Sequence, residues 1–292
     1  MDDFYRASRE LIKSRLEFYL PFIEPLTKIY PKASILDLGC GRGEWLELLS
    51  ERTDFNVYGI DSDNFMLTVC EQHGLPCQLG DMLSYLSNLE SDSLAIISGF
   101  HIVEHIAFSD LQRLVKQALR VLKSSGLLIL ETPNSENIVV GTSEFYMDPT
   151  HKSPLPPNLL AFITEYYQFK QTKVVRLQAV ENLLKSEKLS ILDVLKGVSP
   201  DYAVIAQKEG SKVDILKFEP SFLRHYGLTL EEISIQYEHN KKMKVSEIET
   251  KIQALELKLH EATIEISDLK NGLSYRAIAL LRKFKRILMG KF

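Results

Sequence analysis

The run Ile35-Leu36-Asp37-Leu38-Gly39-Cys40-Gly41-Arg42-Gly43-Glu44 carries the clearest chemistry in the chain. A short apolar strand feeds a turn with glycine at alternate positions, and a helical pattern begins near Trp45. Glycines in such a turn let the backbone approach a ligand closely, while the helix N-terminus offers free N–H groups and a partial positive charge. A nucleotide-like or carboxylate-bearing ligand belongs above it. A dinucleotide fingerprint reads GxGxxG, whereas here the last glycine arrives one residue early and Glu44 follows it, which disfavours NAD. The next apolar run, Val57 to Asp61, ends in a carboxylate suited to both hydroxyls of a ribose. Gly80-Asp81-Met82 then offers an acid for an adenine amino group and a pliable apolar contact for the ring. Read structurally, Asp61 is a helix N-cap and Asp81 a turn residue.

A second group of reactive side chains lies in Ser98-Gly99-Phe100-His101-Ile102-Val103-Glu104-His105-Ile106. His101 and His105 are four apart, so a helical segment puts them on one face with Glu104 adjacent. Histidine suits the removal of a hydroxyl proton near neutral pH, and these three residues are the catalytic candidates. Tyr146, Asp148, His151 and Lys152 combine an aromatic face with hydrogen-bonding groups on one stretch, a combination suited to a glycan acceptor. Tyr146 alternatively serves as a buried anchor for that stretch. Asp148, His151 and Glu131 lack the tight spacing of a metal motif, so no metal site is expected.

Elements must position these groups. Short β-rich runs at Ser34–Leu38, Asn56–Ile60, Pro76–Leu79, Ser93–Ile97, Leu127–Glu131, Lys173–Leu177 and Tyr202–Gln207 alternate with helical patterns, which predicts an α/β domain with a mainly parallel sheet. Leu111, Leu114, Val115, Ala118, Leu119 and Leu122 recur at helical steps and predict a helix there. Residues 4–26 read as a leading helical lid that ends at Pro21 and Pro25, with Leu11, Leu16 and Leu20 packing on the sheet domain. The stretch from Glu136 to Pro157 is a long polar connection of the kind that covers a site.

In their order and spacing, DLGCGRG, the acid of YGID and GDM resemble the class I S-adenosylmethionine-dependent methyltransferases. The resemblance spans about residues 33–207 and implies a Rossmann-like, seven-stranded sheet with an antiparallel last strand. It also implies S-adenosyl-L-methionine as cofactor, with Asp37, Gly39, Gly41 and Gly43 around the methionine moiety. Asp61 and Ser62 then fall at the ribose, Asp81 and Met82 at the adenine, and Phe100 beside the pocket. Glu131-Thr132-Pro133-Asn134, the stretch from Phe145 to Pro157 and that from Ser199 to Gln207 look like methyltransferase domains of bacterial surface-polysaccharide loci.

Beyond Gln207 the β pattern stops. Val245, Ile248, Ile252, Leu255, Leu259, Ala262, Ile266, Leu269 and Leu273 keep alternating steps of three and four, an a/d heptad seam. With Val245 at position a, the pairs Lys244–Glu249, Lys251–Glu256 and Glu265–Lys270 attract across a parallel, in-register assembly roughly 40 Å long. A homo-oligomer is expected, with dimer and trimer both open; a single helix packed on its own domain is the other reading. Residues 276–292 carry six basic side chains and no acid, leaving −10 for residues 1–275 against a total of −4. Ile278, Leu281, Phe284, Ile287 and Leu288 give that basic end an apolar face fit for a membrane surface or a glycosyltransferase partner.

The expected domains are therefore a helical lid (1–32), a methyltransferase domain (33–208), a helical linker (209–242), a parallel coiled coil (243–275) and a basic amphipathic tail (276–292). At 45% hydrophobic and 25% charged, the composition excludes wholesale disorder, and the acidic balance argues against a nucleic-acid partner. Three cysteines with no CxxC pair, no basic leader before an apolar run and no 18-residue apolar stretch point to the cytoplasm, peripheral on the inner face of the cell membrane. Head, stalk and basic end resemble the layout of O-polysaccharide (O-antigen) chain-terminating methyltransferases, without room for their kinase domain. Methylation of a sugar hydroxyl that caps the non-reducing end and limits chain length is the expected function. A small-molecule or quinone-type acceptor, or an inactive scaffold recruiting a glycan polymerase, are the alternatives.

Overall fold

The computed structural model describes residues 7–180 and 182–289, so the first residues of the expected lid and Lys291 of the basic tail lie outside the described residues. Two helices, α1 (Arg9–Leu16) and α2 (Leu20–Ile29), lead the chain and are joined by a 3-10 turn at residues 17–19. Pro21 sits in the first turn of α2, where a missing N–H is tolerated, but Pro25 does not end the helix as its type predicts. Phe22, Ile23 and Leu26 are buried along α2, and that packing holds the helix through to Ile29 despite the lost backbone bond. Leu16 and Leu20 pack on the domain as expected, while Leu11 points to solvent and Ile12 packs in its place.

Strands and helices then alternate: β1 (Ser34–Leu38), α3 (Glu44–Arg52), β2 (Asn56–Asp61), α4 (Asn64–Gln72), β3 (Cys77–Leu79), α5 (Met82–Asn88) and β4 (Leu94–Phe100). After a 3-10 turn at Val103–His105 come α6 (Phe108–Val121), β5 (Leu122–Pro133), α7 (Ile138–Thr142), α8 (Pro157–Tyr166), β6 (Gln171–Leu177), α9 (Ile191–Lys196) and β7 (Asp201–Gln207). The seven strands order as β3-β2-β1-β4-β5-β7-β6, with β7 antiparallel to both its neighbours and the other pairings parallel. The expected seven-stranded sheet with an antiparallel last strand is present. Helices cover both faces, which is why the central strands read as continuous apolar runs rather than alternations. Ile35, Ile129 and Ile205 face one core with α1, α2 and α3, while Leu36, Leu128 and Val204 face the other with α6.

The reading of residues 209–242 as a linker needs correction. α10 (Lys212–Leu216) and α11 (Glu219–Leu223) come after β7, and Phe218, Phe222, Leu228 and Ile233 are buried in the head. Phe222 and Tyr226 set their rings against Phe22 of α2, at 5.9 and 5.5 Å between centroids. Aromatic spacing too irregular for a helical stripe hid this packing. The chain divides into two compact units, residues 1–235 and 236–292, and α12 (Leu230–Met289) begins in the first and supplies the described part of the second. It runs through residues 275 and 276 without a break, so the seam and the basic stretch are one helix. The a/d side chains other than Ala262 are between 49% and 68% exposed. Among the described residues no helix is long and apolar enough to cross a membrane.

Candidate active site

A cavity of 710 Å³ opens at the carboxyl ends of β1, β2 and β4. It sits where the strand order turns back between β1 and β4, the place where open α/β sheets accept ligands. The glycine turn forms its floor. Gly43 caps α3 at φ +79°, and a Cβ there would lie 2.6 Å from Leu75 and 2.7 Å from Cys70. At Gly39, φ +63°, a Cβ would lie 2.4 Å from Ile102, so only glycine lets β1 end against the turn after β4.

The acids named from sequence converge on this cavity. Asp37 is buried and accepts a hydrogen bond from the Ser98 hydroxyl at 2.7 Å. Burial, only partly opposed by that bond, pushes its carboxyl up to about 7, with the Asp61 and Glu44 carboxylates adding to the rise. Asp61 accepts the Gly41 N–H at 2.8 Å through one oxygen and the Asp63 N–H at 2.8 Å through the other, so it braces the glycine turn. The cap of α4 is Asp63, not Asp61. Asp81 caps α5 by accepting the Ser84 N–H at 2.8 Å, which holds its carboxyl below the ordinary value, and it still lines the cavity with Ser62, Met82 and Phe100. The Trp45 indole nitrogen is buried at the wall with no protein partner. A cradle that excludes Cβ atoms, three carboxylates and an orphan donor fit a polar, partly cationic ligand such as S-adenosyl-L-methionine.

The leading helices close one side, as a lid would. Ile12, Arg15 and Leu16 line the cavity, and α1 is tied across the turn by Arg9 on Glu47 at 2.5 Å and Lys13 on Glu51 at 2.8 Å. Tyr19, fully buried, donates its hydroxyl to Glu131. Burial and the neighbouring carboxylate hold that phenol well above its ordinary value, so it stays a donor. Neither Tyr19 nor Trp45, Arg15 or Gln178 was singled out from sequence. The one available signal was Glu131, a carboxylate ending an apolar strand that must be buried.

His101 departs from expectation. It is a non-glycine residue at φ +55°, not a helical one, and its backbone N–H donates to the Glu131 carbonyl at 2.9 Å. Its Nδ1 lies 3.2 Å from Glu104 Oε1 and its Nε2 3.4 Å from Glu131 Oε1. Carboxylates only accept, so both ring nitrogens donate and no lone pair remains. Desolvation opposes the charged ring, but the two carboxylates outweigh it and hold the imidazole well above its ordinary value. Glu104 is buried and accepts a further bond from the Thr132 hydroxyl at 2.9 Å. Desolvation would raise its carboxyl, but His101 outweighs that and holds it low. Burial pushes the nearby Asp201 up to about 6.

His105 lines the cavity and meets the loop after α7. Thr150 donates its hydroxyl to Asp148 at 2.6 Å, so at 2.9 Å from His105 Nδ1 the Thr150 oxygen accepts the ring proton. His151 donates its own Nδ1–H to the Phe145 carbonyl at 2.6 Å, and the two imidazoles lie 4.7 Å apart between centroids, tilted by 59°. The Lys152 N–H bonds to the Glu104 carbonyl at 2.8 Å, fastening the loop to the turn after β4. Of the four loop candidates, His151 is brought beside His105, while Tyr146, Asp148 and Lys152 are exposed and none of the four lines the cavity. The buried anchor is Phe145, not Tyr146.

A family described as a methyltransferase domain matches residues 5–174. No curated protein matches the sequence. Among solved structures, a SAM-dependent methyltransferase from Archaeoglobus fulgidus is 31% identical, with 71% of this chain and 97% of that one aligned at a TM-score of 0.63. A putative methyltransferase in complex with the Trm112 activator of Haloferax volcanii is 12% identical over 68% of this chain and 93% of that one, TM-score 0.50. WbdD is 19% identical over 66% of this chain and 39% of that one, TM-score 0.47. The similarity to the archaeal enzyme and the match to the family over more than half of the chain bear on kinship; the Haloferax likeness bears on fold alone.

Proposed function

The chain belongs to the S-adenosylmethionine-dependent methyltransferases, and on that premise we propose that it methylates a sugar hydroxyl at the non-reducing end of a lipid-linked bacterial surface polysaccharide. When bound, S-adenosyl-L-methionine supplies a methyl group already activated by the sulfonium. Asp37 and the glycines at 39, 41 and 43 would hold its methionine part, Asp61 and Ser62 the ribose, and Asp81 and Met82 the adenine, with Phe100 on the same cavity wall. The observation that carries the acceptor class is the loop of residues 144–152, which bears exposed Tyr146, Asp148 and Lys152 and is tied through Thr150 to His105, a residue of the cavity wall. An aromatic face among hydrogen-bonding groups on open surface suits a glycan better than a narrow apolar slot would.

Alignment does most of the work in such a transfer, and a hydroxyl acceptor needs its proton drawn off as well. His101 is assigned to positioning, because both its nitrogens already donate to Glu104 and Glu131. The nitrogens that retain lone pairs belong to His105 and His151, and hydroxyl activation is assigned to that pair. The exposed a/d stripe of α12 supports a parallel homo-oligomer, and its basic amphipathic end supports attachment to the anionic inner face of the cell membrane.

The test is methyl transfer from labelled S-adenosyl-L-methionine to lipid-linked oligosaccharides, with phenolic and quinol acceptors run alongside. Labelled oligosaccharide is expected, with loss of about a hundredfold or more in the His105→Ala variant. Transfer to the quinol alone would replace the glycan reading. No transfer to any acceptor, with the cofactor still bound, would favour a scaffold.

A further inference from the structure

We propose that Glu104, His105 and His151 bind a divalent transition-metal ion beside the cavity. Each of the three offers one ligand atom, and those atoms lie within 4.8 Å of one another. The surroundings are arranged as metal-ligating imidazoles require. A ligating histidine donates its other ring N–H to a carboxylate, a carbonyl or an intervening polar group, which fixes the tautomer and turns the free nitrogen toward the ion. His151 donates Nδ1–H to the Phe145 carbonyl at 2.6 Å. His105 donates Nδ1–H to Thr150 at 2.9 Å, and Thr150 passes the polarisation on to Asp148 at 2.6 Å. Nε2 therefore carries the lone pair in both rings.

Glu104 completes the set. Its side chain is shielded from solvent, and each oxygen accepts one hydrogen bond, from His101 at 3.2 Å and from Thr132 at 2.9 Å. One lone pair on each oxygen is left over. The backbone bond from Lys152 N–H to the Glu104 carbonyl fastens the loop that carries His151 to the turn that carries Glu104 and His105. Two imidazoles and one carboxylate with open positions select Mn²⁺, Fe²⁺, Co²⁺ or Zn²⁺ over Mg²⁺, which prefers oxygen alone. A second juxtaposition, His101 with Glu131 and Asp201, is a poorer site because both nitrogens of its imidazole donate to carboxylates.

The ion deepens the reading of a hydroxyl acceptor and rests on it for its purpose: with the His105 and His151 lone pairs on the ion, the activation assigned to that pair passes through the cation, which acidifies the acceptor hydroxyl so that its proton leaves to water. Binding of the ion does not depend on that reading. The full chain, stripped with EDTA and titrated with Co²⁺ in the absence of S-adenosyl-L-methionine, should develop visible d–d absorption that saturates at one equivalent. His105→Ala and His151→Ala should each abolish the absorption, Thr150→Val should weaken binding about 10- to 100-fold, and His239→Ala should change nothing. Should the histidine variants not fold, Co²⁺ should protect His105 and His151 of the unmodified chain from diethyl pyrocarbonate while His239 and His260 stay reactive.

An unchanged spectrum at excess Co²⁺, absorption retained in both histidine variants, absence of protection, or binding lost in Asp201→Asn instead would each overturn the site. Methyl transfer to a sugar in a chain that binds no Co²⁺ sinks the metal and keeps the transferase reading. Co²⁺ binding without transfer to any acceptor does the reverse.

Discussion

Two helices of this protein carry the same apolar periodicity and meet opposite fates. In α6, Leu111, Leu114, Val115, Ala118 and Val121 are all buried against the sheet. In α12, Val245 to Leu273 repeat the pattern for longer and stay open to solvent. The contrast is physical: α6 is tethered at both ends to strands of one sheet, so closing its loop is cheap and the sheet supplies its partner. From residue 236 α12 belongs to the second unit, in which no strand occurs among the described residues. A stripe of that size costs free energy unless another surface covers it, and in the proposed parallel assembly a second copy of the same stripe would cover it, with opposite charges at its edges.

Breaking the seam should give the largest effect. Ile252→Asp with Leu259→Asp is expected to convert an assembled chain wholly to monomer in sedimentation, with cofactor affinity of the head unchanged. A monomeric parent chain at micromolar concentration would remove the contrast altogether. On the buried side, Leu114→Ala should cost about 2–5 kcal/mol in denaturant unfolding of the head, whereas Leu255→Ala should leave that transition where it is.

The glycine turn sharpens the comparison further, since there the head constrains even a single methyl group. Gly43→Ala adds a Cβ into contact with Leu75 and Cys70 at φ +79°, and about 1–3 kcal/mol of destabilisation with weakened cofactor binding should result; Gly272→Ala, where the added atom meets nothing within 4 Å, should if anything stabilise α12. The signal of Asp37 is spread over several pH units. Its carboxyl rises from the ordinary 3.8 to about 7, so the folded head keeps a proton that the unfolded chain has released. That contribution is fully present below about pH 4 and is lost as pH rises through about 7. The thermal midpoint without cofactor should decline less over that interval in Asp37→Asn than in the parent chain.

Much of the head was readable before any coordinates. All seven strands lie where β-rich runs predicted them, and the central ones are the plainest because strands covered on both faces cannot hide their composition. The glycine turn, Asp37, Asp61 and Asp81 were readable as a set because backbone sterics and ligand charge demand those residue types at those places. The prolines of α2 misled, since tertiary packing of Phe22 and Leu26 outweighs one missing hydrogen bond. Phe218 and Phe222 were missed because isolated aromatics carry no period.

Sequence alone determined the features that local rules dictate: the order of strands and helices, the turn that only glycine can make, and the apolar stripe of α12. Tertiary structure decided which polar groups meet. His101 reads as a base from its type, yet Glu131 arrives from β5 to take its second nitrogen. Tyr19 crosses 112 positions to reach the same carboxylate, and His151 comes to His105 on a loop fastened to Glu104. A hydrogen bond depends on direction and distance between groups far apart in the chain, and no one-dimensional pattern encodes either.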